Sequence, residues 1–229
     1  PVSTQITKSD RPSAAPRFDH GPTTGDGLGL LIEESRTKLI SNSNTWNVNN
    51  NATFTAGQSS PDGGSNAIRF EATAGSNTAT YAGLGGALAA GDTISVFIKP
   101  DEVKKVWLSS VSPGPTLFAG YDFDTLQTTA GADALNVKID PYANGWYRCS
   151  FEANVAGSVV SILVTLDYAK TITNPDQTTV VPAGFGVVLF GSQREIGPFP
   201  TSYIPTTGTA LTRSADVSLI HTSPCRRDT

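Results

Sequence analysis

Residues 145–152 read GWYRCSFE. Tyr147, Cys149 and Phe151 fall on one side of a two-residue period; Trp146, Arg148, Ser150 and Glu152 fall on the other. Successive side chains of a strand point to opposite faces, so this stretch predicts a strand with one face in a core. The period recurs in both directions along the chain. In TISVFIK (93–99) it aligns Ile94, Val96 and Ile98, and in AIRFE (67–71) it sets Ile68 and Phe70 against Arg69 and Glu71. TLFAGYDFD (116–124) places Tyr121 and Phe123 opposite Asp122 and Asp124, while VKKVWLSSV (103–111) places Val106 and Leu108 opposite Trp107. ATFTA (52–56), NTATY (77–81), ALNVKI (134–139) and VVSILVTLDY (159–168) repeat the pattern. GFGVVLFG (184–191) is apolar on both faces and predicts a central strand covered on both sides. Clusters such as SPDGGSN, SPGP and TNPDQ separate these runs. About ten short strands with regular turn signals predict an all-β fold, an antiparallel β-sandwich of jelly-roll type.

Composition agrees. The chain has 229 residues with 22 glycines and 15 prolines, and only 16% of it is charged. Gly, Pro, Thr and Asn rank low in helix propensity and favour turns. The one place where a helix competes is LGLLIEESRTKLI (28–40), where Leu28, Leu31, Ile32 and Leu39 give a partial helical spacing. Gly29 weakens it, and a short strand at 29–33 followed by an extended loop is the reading adopted. Residues 1–27 are polar and rich in Pro and Gly, with a single apolar anchor at Phe18, and predict an extended arm. One sandwich domain is expected over 28–216, followed by a tail at 217–229. Within it, EIGPFPTSYIPTTGTALTRSAD (195–216) carries three prolines among Phe199, Tyr203, Ile204 and Leu211. Such a stretch is neither a helix nor a central strand, so it predicts an ordered belt packed along the sandwich flank.

The net charge is −4, with no basic run beyond Arg226–Arg227. Little counterion release is on offer, and nucleic acid is not an expected partner. No apolar run reaches the length of a membrane span. Cys149 reads as a small core residue and Cys225 as part of a polar tail; a bridge between them is the alternative. His20 and His221 lie near the two ends, where solvent exposure is the simplest reading, and no metal site or cofactor is expected. Catalytic signatures such as G-x-S-x-G, H-E-x-x-H or a phosphate loop are missing. Asp122 and Asp124 have the i, i+2 spacing that brings two carboxylates together on one strand face. They admit three readings: a glycosidase pair, a loop-edge calcium site, or a polar outer face. No catalytic residue is assigned. Binding falls to aromatics, because a flat ring stacks on the C–H face of a sugar at low entropy cost. Trp107, Tyr81, Tyr121 and Trp46 are the candidates, with core packing as the competing fate of each. Trp107 and Tyr81 are the two expected to be exposed, since their strand neighbours are small and polar.

Three segments resemble a module found in many phage virion proteins. PRFDHGPTTGDGLGLLIEESRTKLI (16–40) is similar to its opening motif, NGWYRCS (144–150) to its central strand, and GSQREIGPFPTSYIPTTGTALTRSAD (191–216) to its closing motif. The resemblance implies a concanavalin-A-like or jelly-roll sandwich in a head fibre, spike or tail-associated fibre that binds host-surface carbohydrate. It implies a homotrimer that contacts other virion proteins through the N-terminal arm, located in the virion. Two departures stand out: family members read Arg-Thr-Asn where this chain has Arg36-Thr37-Lys38, and Gln-Leu-Glu where it has Gln193-Arg194-Glu195. With both motifs flanking one sandwich, FPTSYIP is expected beside LGLLIEE. Arg213 and Asp216 would then pair with Glu33, Glu34 or Arg36, in a structural rather than a binding role.

Overall fold

A computed structural model of the chain describes residues 17–73, 81–85, 87–109, 117–156, 161–167 and 181–216, without the side chains of 47–50, 81–85 and 161–167. Among the described residues, sixteen strands occur: β1 Arg17–His20, β2 Gly27–Leu31, β3 Arg36–Lys38, β4 Asn47–Asn50, β5 Ala52–Gln58, β6 Ala67–Ala72, β7 Tyr81–Gly85, β8 Asp92–Pro100, β9 Lys105–Ser109, β10 Phe118–Asp122, β11 Gln127–Ala130, β12 Ala134–Pro141, β13 Tyr147–Ala153, β14 Ser161–Asp167, β15 Gly186–Ile196 and β16 Leu211–Arg213. A 3-10 turn at Ala143–Gly145 is the single helical element among them. Two six-stranded antiparallel sheets, β11-β10-β9-β14-β7-β4 and β12-β13-β8-β15-β6-β5, hold twelve of these sixteen strands.

The sheets face each other across one apolar layer. Ile94, Val96, Ile98, Cys149, Phe151, Phe70, Val187 and Leu189 come from one sheet; Val106, Leu108, Ala119 and Tyr121 come from the other. The hydroxyl of Tyr121 crosses the layer and donates to the Ser150 carbonyl at 2.9 Å, which satisfies its only polar side-chain atom. This is the all-β sandwich that the alternation predicts. β15 lies between β8 and β6, so the run read as doubly covered is indeed central. Cys149 is a free, fully buried thiol; Cys225 lies outside the described residues.

A second apolar cluster sits on the outer face of the β8/β15 sheet. It contains Phe97, Trp146, Phe190 and Tyr203, with Phe190 and Tyr203 at 5.2 Å and Phe97 and Tyr142 edge to face at 5.0 Å. The register of β15 explains how polar groups join it. Phe190 is opposite Phe97, but Gln193, not Ser192, is opposite Ser95. One extra residue therefore bulges at Gly191–Ser192, with Gly191 at φ +64. A Cβ on Gly191 would stand 3.0 Å from the Tyr203 ring. A one-residue slip exchanges the two faces of a strand. Beyond the bulge, Gln193 and Glu195 thus share the outer face with Phe190, instead of pointing between the sheets with Val187 and Leu189.

Residues 197–210 lie over that face as the belt. Its prolines cannot donate to a ladder, and several of its remaining N–H groups are met by side chains. Thr201 N donates to Glu195 Oε2 at 2.9 Å, Ile204 N to Gln193 Oε1 at 2.7 Å, and Thr206 N to Ser43 Oγ at 2.8 Å. Gln193 Nε2 donates to Glu195 Oε2 at 2.7 Å, and Thr201 Oγ1 to Glu195 Oε1 at 2.5 Å. Gln193 and Glu195 are themselves fully buried. The belt ends in β16, which pairs with β3.

Two expectations change. Residues 17–27 are not an extended arm: β1 and β2 form an antiparallel hairpin, Arg17 opposite Leu31 and Phe18 opposite Leu30. Hairpin formation satisfies backbone groups that a free arm leaves to water, and the apolar anchor Phe18 was its sole signal. Residues 1–16 and 217–229 lie outside the described residues. FPTSYIP touches LGLLIEE where Ser202 N donates to Glu33 Oε1 at 2.8 Å, but the belt also runs beside residues 36–43, with Thr207 bridging to Asn42 and Gly208 N donating to the Ser41 carbonyl at 2.7 Å.

The bonding pattern makes Glu195 the anchor of the belt. Glu195→Ala is expected to cost about 3 kcal/mol, in the range for stripping a buried charged group from its partners. Urea denaturation measures the loss. Limited proteolysis is expected to move its first cut into 197–206.

Candidate functional site

Residues 17–33 and 202–216 meet at a charged junction. Arg17 on β1 donates from Nε to Asp216 Oδ1 at 2.8 Å and from Nη2 to Glu33 Oε2 at 2.9 Å. Arg213 on β16 reaches Glu33 Oε2 at 3.1 Å, and Ser202 N donates to Glu33 Oε1 at 2.8 Å. Glu33 N in turn donates to Asp216 Oδ2 at 2.8 Å. Hydrogen bonding to Arg17 holds the Asp216 carboxyl below the usual carboxylate range, and burial lowers the Arg213 guanidinium. Of the ion pairs read from the sequence, Arg213 meets Glu33, while Arg36 pairs with Glu34 two residues away. The partner of Asp216 is Arg17, which lay in the presumed arm and so had no reason to be singled out.

A cleft of about 460 Å³ opens beside this junction. The inward face of the hairpin supplies Asp19 and Leu31, β12 and the turn after it supply Lys138, Asp140 and Tyr142, β13 supplies Arg148, and the belt supplies Phe199 to Ser202. Ala143 N donates to the Pro22 carbonyl at 2.8 Å and ties the hairpin loop to the opposite wall. Phe199 is 48% exposed, with the Arg36 guanidinium 5.2 Å from its ring centroid. Arg148 is buried: its Nη2 donates to Ser95 Oγ at 2.9 Å and its guanidinium lies 5.2 Å from the Phe97 centroid. Burial raises the Tyr142 phenol, so it stays a hydroxyl donor at neutral pH. The cleft thus combines a half-exposed aromatic ring, exposed carboxylate and ammonium groups at Asp140 and Lys138, and a cationic floor at Arg148. It can hold a small polar ligand by hydrogen bonds and one stacking contact. Its lining includes no histidine or cysteine.

The strand-face aromatics fare differently. Trp107 and Tyr121 are fully buried, and Trp46 is 7% exposed within the main core. This corrects the reading of Trp107 as exposed and removes all three as sugar platforms. Trp107 stacks edge to face on Phe118 at 5.2 Å, and its neighbour Ser109 is buried as well. Small polar neighbours suggested an open face, but this sheet is covered on both sides at that point. The side chain of Tyr81 lies outside the described residues. Asp122 and Asp124 do not form an acid pair facing a cleft. Asp122 Oδ1 accepts from Asp124 N at 3.0 Å and Thr125 N at 3.3 Å, so it shapes the β10–β11 turn, and Lys105 Nζ stands 3.5 Å from its other oxygen. Among the described residues no group of metal-ligating side chains forms. His20 sits near the hairpin turn with Nδ1 3.1 Å from the Phe18 carbonyl oxygen; His221 lies outside the described residues.

Beneath the belt, Lys38 is fully buried. It donates to Ser43 Oγ and lies 4.8 Å from the Tyr203 ring centroid. Loss of solvation, reinforced by the charge of Arg148 and opposed by Glu195, pushes its ammonium down to about 7. Comparison with known proteins adds no assignment: no family model matches the chain, and no curated protein matches it.

Lys38 carries a signed pH dependence. Its folded value is depressed, so its stabilising contribution is complete above the free-lysine value of 10.5 and is lost as pH falls toward about 7. Lys38→Met removes the buried ammonium, while Ser43 Oγ keeps Thr206 N as its donor. The substitution is expected to raise the urea midpoint at pH 6 by more than at pH 10. A second prediction separates core from surface: Trp107→Ala is expected to cost about 3–5 kcal/mol by calorimetry or urea titration, the penalty of an emptied aromatic site.

Proposed function

We propose that the chain is a phage virion surface module, part of a head fibre, spike or tail-associated fibre, that binds a host-surface glycan in the cleft between the β1–β2 hairpin and the belt. The observation that carries the reading is the cleft itself. At about 460 Å³ it falls within the usual range of small-molecule sites, and it gathers Phe199, Asp140, Lys138 and Tyr142 around one opening. A sugar offers hydroxyl donors to Asp140, hydroxyl acceptors to Lys138 and a C–H face to Phe199. Two of the walls, Asp19 to Glu33 and Phe199 to Ser202, come from the stretches that resemble the opening and closing motifs of virion modules. In this reading those motifs both stitch the fold and shape the site. The lining offers no nucleophile beside a base, and the reading includes no catalytic turnover.

A second reading, a structural or decoration protein of the virion with no glycan ligand, draws on the burial of Trp107, Tyr121 and Trp46. The two differ in one experiment. A few contacts of this kind give single-site binding only in the high-micromolar to millimolar range, so the chain is displayed in many copies on beads and exposed to bacterial cells and a glycan array. Capture is expected, and Phe199→Ala is expected to weaken it about 2- to 12-fold per site, the worth of one stacking contact. Asp140→Asn is expected to weaken it without changing the urea midpoint. If the multivalent form captures neither cells nor glycans, the structural reading takes its place. Release of reducing ends from bacterial polysaccharides would show turnover and overturn both.

A further inference from the structure

We propose that the cleft selects acidic glycans: the sugar it takes carries a carboxylate, which packs against the Arg148 guanidinium at the floor while its hydroxyls meet the rim. The inference rests on the glycan reading of the cleft. It adds the charge of the ligand, which neither the size of the cleft nor its aromatic ring decides.

Arg148 stands apart from the other arginines described. Arg17, Arg36, Arg69, Arg194 and Arg213 each hold a carboxylate within 4.0 Å. Among the described residues Arg148 has no such partner, although it is 6% exposed and lines the cleft. The register places it there. On β13 it lies opposite Phe97 of β8 and Asp140 of β12, on the outer sheet face. Nη2 donates to Ser95 Oγ, the Phe97 ring takes one side of the guanidinium, and the buried Nε donates to nothing. The Tyr142 phenol hydrogen-bonds it and is kept protonated by burial, and a neutral hydroxyl does not balance the charge. A buried cation of this kind calls for acceptors and a counter-charge.

The acids of the cleft leave that charge uncovered. Glu33 is engaged by Arg17, Arg213 and Ser202 N. Asp19 accepts from His20 N at 3.0 Å. Asp140 is exposed at the lip and stays beyond ion-pair distance, although it is the cross-strand neighbour of Arg148. Lys138, on the same face of β12 as Asp140, is a second cation lining the cleft. Position then decides the sign of the site. A charge on a floor closed to water acts more strongly than one at a wetted lip. A carboxylate entering first meets Arg148 and passes Lys138, while hydroxyls of the same sugar donate to Asp140 and its ring rests on Phe199. An ammonium turned inward would instead set like charge against the buried guanidinium. A carboxylate also suits the site because its planar single charge matches one guanidinium fork.

The test uses beads that display many copies of the chain. They are offered polygalacturonate, a nonulosonic-acid polymer, and the carboxyl-reduced form of each, in which the carboxylate is converted to a hydroxymethyl group and every linkage is kept. Capture of the acidic forms is expected to exceed that of the reduced forms by roughly ten- to a hundredfold per site, the worth of a hydrogen bond to a charged group. Arg148→Met keeps an apolar stem over Phe97 and removes the charge; it is expected to abolish the difference. Lys138→Gln changes an exposed side chain, is expected to narrow the difference, and carries the test where Arg148→Met does not fold. Equal capture of acidic and reduced glycans would overturn the acidic preference and leave the glycan reading standing. Capture of no glycan on the wider array removes both. A preference that survives unchanged in folded Arg148→Met, or in Lys138→Gln where that variant does not fold, places acid recognition elsewhere and overturns the proposal. Capture of phosphorylated glycans without carboxylated ones overturns it as well.

Discussion

The structure depends on a belt that cannot hydrogen-bond as a strand and is held by side chains instead. Pro198, Pro200 and Pro205 break any continuous ladder between residues 197 and 210. Buried N–H groups must nevertheless find acceptors, at a cost of about 1–3 kcal/mol for each one left without. Glu195 and Gln193 supply two of those acceptors from β15, Ser43 a third and Glu33 a fourth. Because Glu195 also accepts from Gln193, the two side chains brace each other. Tyr203 then closes over Phe97 and Phe190, and a sheet face that would otherwise be exposed becomes a second core.

That arrangement needs the bulge at Gly191–Ser192. Regular alternation would turn Gln193 and Glu195 between the two sheets, among Val187 and Leu189, where a carboxylate has no partner. The extra residue changes the face at the point where β15 passes from apolar to polar sequence. It also turns the intervening Arg194 to the opposite side. Arg194 points away from the belt, toward Asp92 and the Ala87 carbonyl, so its identity does not touch the contacts that hold the belt.

The same belt places the cleft. Phe199 and Ser202 stand where they do because Glu195 and Glu33 hold the neighbouring backbone, and the opposite wall is fixed by Arg17 reaching across to Asp216. Fold closure and site formation are thus one event. Two cationic side chains are buried under the belt, Lys38 and Arg148, and for Lys38 the charge of Glu195 offsets the lost solvation only in part, so its ammonium is pushed down.

The sequence by itself determined the strands and their inner faces. Ile94, Val96 and Ile98, Tyr121 and Phe123, and Cys149 and Phe151 all face the core that their alternation predicts, because a strand has a single period and water enforces it. It also determined that 195–216 is ordered, since Tyr203 and Ile204 gain nothing in solvent. Tertiary structure alone decided which outer faces are covered. Trp107 looks like a surface aromatic beside Ser109 until the covering of its sheet is known, and alternation is silent on that. Tertiary structure also decided the partner of Asp216, because Arg17 lies 199 residues away and only closure of the hairpin brings it near. The cleft was likewise illegible in the sequence. Its walls come from four separated segments, none of which carries a local signal of chemistry, and only the packing of the belt against the hairpin makes them one site.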